Sequence, residues 1–81
     1  MLIIDDDVAL CDMLTRLVER MGHETVAAHD VAEGMHQVRS LDFDVVFLDV
    51  RLPDGNGLEV LLDIRRTSSR PEVIIMTGVG D

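Results

Sequence analysis

Short apolar runs that end in a carboxylate or hydroxyl residue are the feature that most constrains the fold of this chain. Residues 2–4 are followed by three aspartates, residues 45–48 by Asp49, and residues 73–76 by Thr77. Runs that are short and apolar at consecutive positions are typical of strands buried on both faces of a parallel sheet. Residues 25–28 form a fourth, weaker strand candidate.

The segments between these runs have the spacing of amphipathic helices. The first helix is predicted to carry an apolar face of Leu10, Met13, Leu14, Leu17, Val18 and Met21 and to stop at Gly22. The second is predicted to be capped by Asp30 and to bury Val31, Met35, Val38 and Leu41. The third is predicted to be capped by Asn56 and to bury Leu58, Leu61, Leu62 and Ile64. Strands that alternate with helices predict one α/β domain with a parallel sheet.

Charge and cysteine content exclude several functional classes. The formal net charge is -9, from sixteen acidic residues against seven arginines and no lysine. Direct contact with nucleic acid is not expected, because phosphate backbones are bound by clustered basic residues. The single cysteine, Cys11, cannot form an internal disulfide, and we expect it to be inert and buried. Neither a signal peptide nor a membrane span is recognisable, so we expect a cytoplasmic protein.

The acidic strand ends predict a site at one edge of the sheet. Open α/β sheets bind ligands beyond the carboxyl ends of their strands. Asp5, Asp6 and Asp49 would repel one another there unless a cation lies among them. Oxygen ligands that leave room for water and a phosphoryl group suit Mg²⁺. Asp49 could then act as a nucleophile that forms an aspartyl phosphate, and Thr77 could donate a hydrogen bond to it.

The quoted strand ends, together with the loop Pro-Asp-Gly-Asn-Gly-Leu-Glu-Val-Leu at residues 53–61, resemble the receiver domain of bacterial two-component response regulators. The resemblance spans essentially the whole chain. It implies a flavodoxin-like α/β fold with strand order 2-1-3-4, which brings strands one and three together. The final Met-Thr-Gly-Val-Gly-Asp resembles receivers attached to sigma-54-dependent transcriptional activators.

The resemblance also implies a role for each site residue. Asp49 would be the phosphoacceptor, Asp5 and Asp6 the acidic pair that holds Mg²⁺ with Asp49, the backbone carbonyl of Arg51 a further ligand, and Thr77 the switch hydroxyl. The protein would be a signalling domain and not an enzyme, catalysing at most its own phosphorylation and dephosphorylation. Its partners would be a sensor histidine kinase and an output domain, linked or separate, that regulates transcription.

The chain departs from the family pattern at its end. The family continues with a fourth helix, a fifth strand that ends in a lysine, and a fifth helix, none of which these 81 residues contain. We therefore expect residues 1–81 to be a receiver domain truncated after the fourth strand. We also expect self-association through strand four or through the uncovered face of the sheet, because an uncovered apolar edge is a template for pairing, unless residues beyond Asp81 complete the fold.

Two other functions remain open at this point. A haloacid dehalogenase-type phosphohydrolase would use Asp5 as nucleophile and Asp7 as acid, but Ala9 stands where its motif requires Thr or Val. Alternatively, the chain could be a receiver fragment without phosphoryl chemistry that acts as a binding or oligomerising module. Labelling at Asp49 or at Asp5 by a small phosphodonor would distinguish the receiver from the hydrolase.

Overall fold

The computed structural model describes residues 1–67 and 70–76 as one layered α/β unit. Its elements are β1 (Leu2–Ile4), α1 (Val8–Arg20), β2 (Val26–Ala28), α2 (Val31–Ser40), β3 (Val45–Asp49), α3 (Gly57–Arg65) and β4 (Glu72–Met76). A two-residue antiparallel ribbon, Arg51–Leu52 with Gly55–Asn56, lies between β3 and α3. The alternation of strands and helices predicted from the sequence is confirmed.

The four strands form one parallel sheet in the order β2-β1-β3-β4. In β1, Ile4 is in register with Ala28 on one side and with Leu48 on the other. The connection from β1 to β2 runs in the opposite direction from the next two connections. With right-handed crossovers, α1 therefore covers one face of the sheet, and α2 and α3 cover the other. The predicted strand order is confirmed.

Local signals in the sequence set the helix ends. The Asp7 carboxylate accepts a hydrogen bond from the N–H of Leu10 at 3.0 Å and begins α1. Gly22 has a φ of +92°, a left-handed conformation that ends this helix at little cost only for glycine. Asp30 and Asn56 cap α2 and α3, as predicted.

The main core lies between the sheet and the pair of helices α2 and α3. Leu2, Ile4, Val46 and Leu48 contribute the sheet side of this core. The buried helix residues are Val31, Gly34 and Val38 from α2 and Gly57, Val60 and Ile64 from α3. The predictions that Leu41, Leu58 and Leu62 are buried are wrong, because these side chains are 50%, 45% and 61% exposed. The faces of α2 and α3 that pack on the sheet are centred on smaller residues.

Helix α1 buries a narrower stripe than its apolar pattern indicates. Only Cys11 and Val18 are buried on this helix, and they lie two turns apart on one face. Met13, Leu17 and Met21 are 52%, 49% and 73% exposed, so the prediction that they face inward is wrong. Within the described part of the chain, no helix is both long and apolar enough to cross a membrane.

Candidate metal and phosphoryl site

Three carboxylates meet where β1 and β3 end side by side. Asp5 follows β1 directly, Asp6 comes next, and Asp49 is the last residue of β3. One carboxylate oxygen from each lies within 4.8 Å of the others. The helices that follow β1 and β3 pack on opposite faces of the sheet, which leaves an open crevice at this edge. The convergence predicted for these three residues is confirmed, and we call them the acidic cup.

The buried member of the acidic cup is Asp5, with 5% of its surface exposed. One of its carboxylate oxygens accepts a hydrogen bond from the N–H of Asp7 at 2.9 Å. Burial raises the pKa of Asp5, the Asp7 hydrogen bond partly opposes this, and the charges of Asp49, Asp6 and Asp7 raise it further. A carboxylate held in such surroundings gains most from a cation, so the residues present fit a divalent metal ion.

The main-chain carbonyl of Asp5 has two side-chain partners. His29 Nδ1 lies 3.0 Å from this oxygen, and the Cys11 thiol donates to it at 3.4 Å. Since a carbonyl oxygen can only accept, the contact requires that His29 Nδ1 carry a proton. Burial, and then the charges of Asp5, Asp7 and Asp12, raise the pKa of Cys11 to about 11. The thiol therefore stays protonated and unreactive near neutral pH, as expected.

Asp49 is held by the loop that follows it. The N–H of Arg51 donates to Asp49 Oδ1 at 3.1 Å. The loop then returns through the short ribbon, and the N–H of Gly57 donates to the carbonyl of Val50 at 2.7 Å. These contacts hold one oxygen of Asp49 in place and fix the main chain on both sides of Arg51.

Asp54 connects this loop to the start of α2. Its Oδ1 accepts from the N–H of Val31 at 2.7 Å, and its Oδ2 accepts from the N–H of Ala32 at 3.1 Å. The hydrogen bond from Val31 is the main reason that the pKa of Asp54 is lowered. This role of Asp54 was not predicted from the sequence.

His29 is the other residue of the site that was not predicted from the sequence. It follows β2 directly, just as Asp5 follows β1, so the rule that located the aspartates would also have located it. Thr77 lies outside the described residues; β4 is described up to Met76, which is in register with Asp49. The predicted role of the Arg51 carbonyl stays a prediction.

The acidic cup at the switch point places the chain in the class of doubly wound α/β proteins with a candidate site for a divalent cation. Within this class, the response regulator receiver domain family matches residues 1–81. The chain belongs to this family. A receiver domain is a phosphoacceptor signalling domain, and the match favours neither the hydrolase nor a fragment without phosphoryl chemistry.

Two bacterial regulatory proteins illustrate the similarity in sequence. The chain is 35% identical over 80 residues to the photosynthetic apparatus regulatory protein RegA of Rhodobacter capsulatus, covering 99% of this chain and 44% of RegA. It is 32% identical over 77 residues to the transcriptional regulatory protein ZraR of Escherichia coli, covering 95% and 18% respectively. The chain therefore spans less than half the length of these relatives.

Solved structures give the same fold. A CheY-like receiver domain protein from Methanospirillum hungatei matches with a TM-score of 0.90 and 30% identity, over 99% of this chain and 64% of that one. TrrA of Thermotoga maritima, solved in complex with Mg²⁺ and BeF, matches with a TM-score of 0.86 and 28% identity, over 98% and 69%. The flavodoxin-like arrangement expected from the resemblance is confirmed.

Proposed function

We propose that this chain accepts a phosphoryl group on Asp49 and that Asp5 and Asp6 hold the Mg²⁺ ion that the transfer requires. The observation that carries the proposal is the convergence of the three carboxylates within 4.8 Å, at the carboxyl ends of two neighbouring strands. The Mg²⁺ and BeF in the TrrA complex support the choice of ion and of ligand.

The geometry of Asp49 separates the roles of its two oxygens. Oδ1 accepts the hydrogen bond from Arg51 N–H, so the carboxylate cannot rotate freely. Oδ2 then attacks the phosphorus atom of the donor, an O–P bond forms, and the bond from phosphorus to the donor breaks. The donor leaves with the bonding electron pair and takes up a proton, and Asp49 becomes an acyl phosphate.

Mg²⁺ would be held by Asp5, Asp6, Asp49 and the carbonyl of Arg51, and when bound it neutralises charge on the phosphoryl oxygens. Asp5 is fixed from both sides of its main chain, because its N–H donates to the carbonyl of Ala28 and its carbonyl accepts from His29. Asp6 is exposed and can adjust to the ion. The site thus combines one rigid and one adaptable acidic residue.

The remaining roles extend the proposal to the whole protein. Thr77 would hydrogen-bond the phosphoryl group and couple phosphorylation to a change of shape. A sensor histidine kinase in the cytoplasm would supply the phosphoryl group, and an output domain that regulates transcription would respond to it. The relative ZraR is named as a transcriptional regulatory protein, which supports an output of this kind.

The test uses acetyl phosphate and Mg²⁺ on three forms of the protein. Wild type should acquire an acid-labile label that peptide mapping places at Asp49, and Asp49→Ala should remove it. Asp44→Ala is the matched control, because Asp44 is an exposed aspartate just before the other end of the same strand and should be dispensable. A label at Asp5, or one that persists in Asp49→Ala, would refute the proposal.

A second candidate role, self-association through β4, rests on the exposure of two apolar side chains. Ile74 and Ile75 point to opposite faces of this strand, and each is 46% exposed. Strand β4 pairs on one side with β3 and is the last strand of the described sheet. In a sample whose mass confirms 81 residues, light scattering should show association at micromolar concentration. A monomer that unfolds cooperatively would contradict it.

A further inference from the structure

The segment His29 to Ala32, which we call the α2 start, contacts both loops that carry the acidic cup. His29 Nδ1 donates to the main-chain carbonyl of Asp5 at 3.0 Å. This carbonyl belongs to the peptide that joins Asp5 to Asp6. The orientation of this peptide influences where both of these carboxylates point, so its hydrogen bond from His29 bears on the acidic cup.

The second contact of the α2 start reaches the loop that follows Asp49. Both carboxylate oxygens of Asp54 accept main-chain hydrogen bonds from this segment, at 2.7 Å from Val31 and 3.1 Å from Ala32. Asp54 lies between the two strands of the short ribbon, and Arg51 is the first residue of that ribbon. Because Asp54 lies in the turn of this paired ribbon, a shift of Asp54 should also move the main chain at Arg51.

Capping of α2 alone does not account for the Asp54 contact. The helix already has a cap of its own, because Asp30 accepts a hydrogen bond from the N–H of Glu33 at 2.7 Å. Asp54 comes from a point 23 residues away in the sequence and adds the N–H groups that Asp30 does not reach. Asp54 therefore connects the loop after β3 to α2, and it also accepts from N–H groups at the helix start that have no partner within the helix.

We infer that the α2 start is a positioning element for the metal site, acting through His29 on Asp5 and Asp6 and through Asp54 on Asp49 and Arg51. Neither His29 nor Asp54 is a member of the acidic cup. Four consecutive residues hold the two halves of the acidic cup at a fixed separation. This inference rests on the proposed function, since it concerns the same Mg²⁺ ion.

The experiment measures the Mg²⁺ dissociation constant and the labelling rate at saturating Mg²⁺ for His29→Ala and Asp54→Ala in the intact protein. Each change should weaken Mg²⁺ binding by about tenfold, the usual effect of losing a group that orients a ligand. The labelling rate at saturation should fall much less. In the double variant, Mg²⁺ affinity should fall by less than the product of the two single fold-changes, because both contacts act through one segment.

Conservative variants and one control separate positioning from stability. His29→Asn places an amide N–H close to the position of Nδ1 and should restore most of the binding, and Asp54→Asn keeps one acceptor oxygen and should lie between wild type and Asp54→Ala. Asp63→Ala removes the ion pair with Arg39 that links α2 to α3 away from the cup. This control should leave the Mg²⁺ dissociation constant within about twofold of wild type, as expected for a distant, independent site.

Two outcomes would overturn the inference. Unchanged Mg²⁺ binding in His29→Ala and Asp54→Ala would exclude a positioning role, and so would an equal weakening in Asp63→Ala. If an alanine variant fails to fold, the comparison of the Asn variants with wild type decides the matter by the same measurement. Failure of wild type to bind Mg²⁺ or to label at Asp49 would instead refute the proposed function, which keeps the two failures distinct.

Discussion

Gly57 lies directly against the main-chain carbonyl of Asp49, so closely that a β-carbon at position 57 would overlap this oxygen. The same β-carbon would come within 3.0 Å of Val50 Cα. Both neighbours are backbone atoms, which cannot move aside as a flexible side chain can. The first residue of α3 and the last residue of β3 therefore fit together only when position 57 is glycine.

The first prediction is that Gly57→Ala displaces the loop after Asp49. The cost should be about 2 kcal/mol or more in the free energy of unfolding, typical of overpacking against a rigid neighbour. Mg²⁺ binding should weaken as well, because the displaced loop carries Arg51. Denaturant unfolding and Mg²⁺ titration measure the two effects.

Gly22→Ala provides the control for this prediction. Gly22 has a φ of +92° with nothing within 4 Å of its missing β-carbon, so alanine there is strained without a clash. This variant should lose about 1 kcal/mol of stability. It should leave Mg²⁺ affinity unchanged, because Gly22 follows α1 at the end away from the acidic cup. Equal loss of affinity in both variants would show that the Gly57 contact has no special effect on the site.

The second prediction concerns the charge of Asp49. Asp49→Asn keeps the shape of the side chain and the acceptor for Arg51 N–H but removes one negative charge from the acidic cup. Affinity for Mg²⁺, and for Mg²⁺ with beryllofluoride, should fall by about tenfold or more, since ligand charge dominates the binding of a hard cation. Isothermal titration calorimetry measures these affinities. Asp44→Asn is the control and should bind Mg²⁺ as wild type does, because Asp44 is exposed and lies just before the other end of β3. If Asp49→Asn and wild type bound Mg²⁺ with equal affinity, Asp49 would not be a ligand of the ion.

The strand pattern predicted the parallel sheet and the residues at its strand ends, and the strand order implied by the family resemblance placed those of β1 and β3 side by side. Residues buried on both faces of a sheet are apolar at every position, so the ends of β1 and β3 are marked by the aspartates that follow. His29 and Asp54 were missed for a physical reason. The position of His29 directly after β2 marks it as a strand-end residue, but its partner lies 24 residues away and that of Asp54 23 residues away, and no local pattern indicates a contact with main-chain atoms at such a distance.

The helix faces were harder to predict for another reason. The leucines of α3 follow a helical repeat, yet Val60 and Ile64 are buried while Leu58 and Leu62 are exposed. Hydrophobic periodicity gives an apolar stripe but not the part of it that meets the sheet, because the direction of approach depends on tertiary packing.

The third prediction concerns the ion pair between Arg39 and Asp63, which links α2 to α3. The Nε to Oδ2 distance is 2.9 Å, but the Arg39 side chain is 64% exposed. Solvent screening should limit the coupling energy of a double-mutant cycle to less than about 1 kcal/mol. The coupling should shrink further when salt is raised. A coupling energy of several kcal/mol, unaffected by salt, would show that the pair is shielded from solvent.

The last prediction is that Asp5 opposes folding near neutral pH when no metal is bound. Burial and the neighbouring carboxylates raise its pKa above the usual 3.8, so the folded protein holds this proton more tightly than the unfolded chain. The resulting stabilisation is complete below the unfolded pKa and is lost as pH rises through the folded pKa. Near neutral pH, folding of the metal-free protein places the charged Asp5 carboxylate in a buried position beside Asp6 and Asp49, which lowers the free energy of unfolding.

Asp5→Asn should therefore raise the melting temperature of the metal-free protein near pH 7. The amide oxygen can still accept the hydrogen bond from Asp7 N–H, so the change removes mainly the charge. The gain should decrease as pH falls through the raised pKa of Asp5, because wild type then becomes neutral at this position too. Added Mg²⁺ should reverse the order, since it stabilises wild type by binding the folded state and binds Asp5→Asn poorly. Thermal unfolding at several pH values, with and without Mg²⁺, measures all three effects. A metal-free Asp5→Asn protein that melts below metal-free wild type at pH 7 would contradict this account.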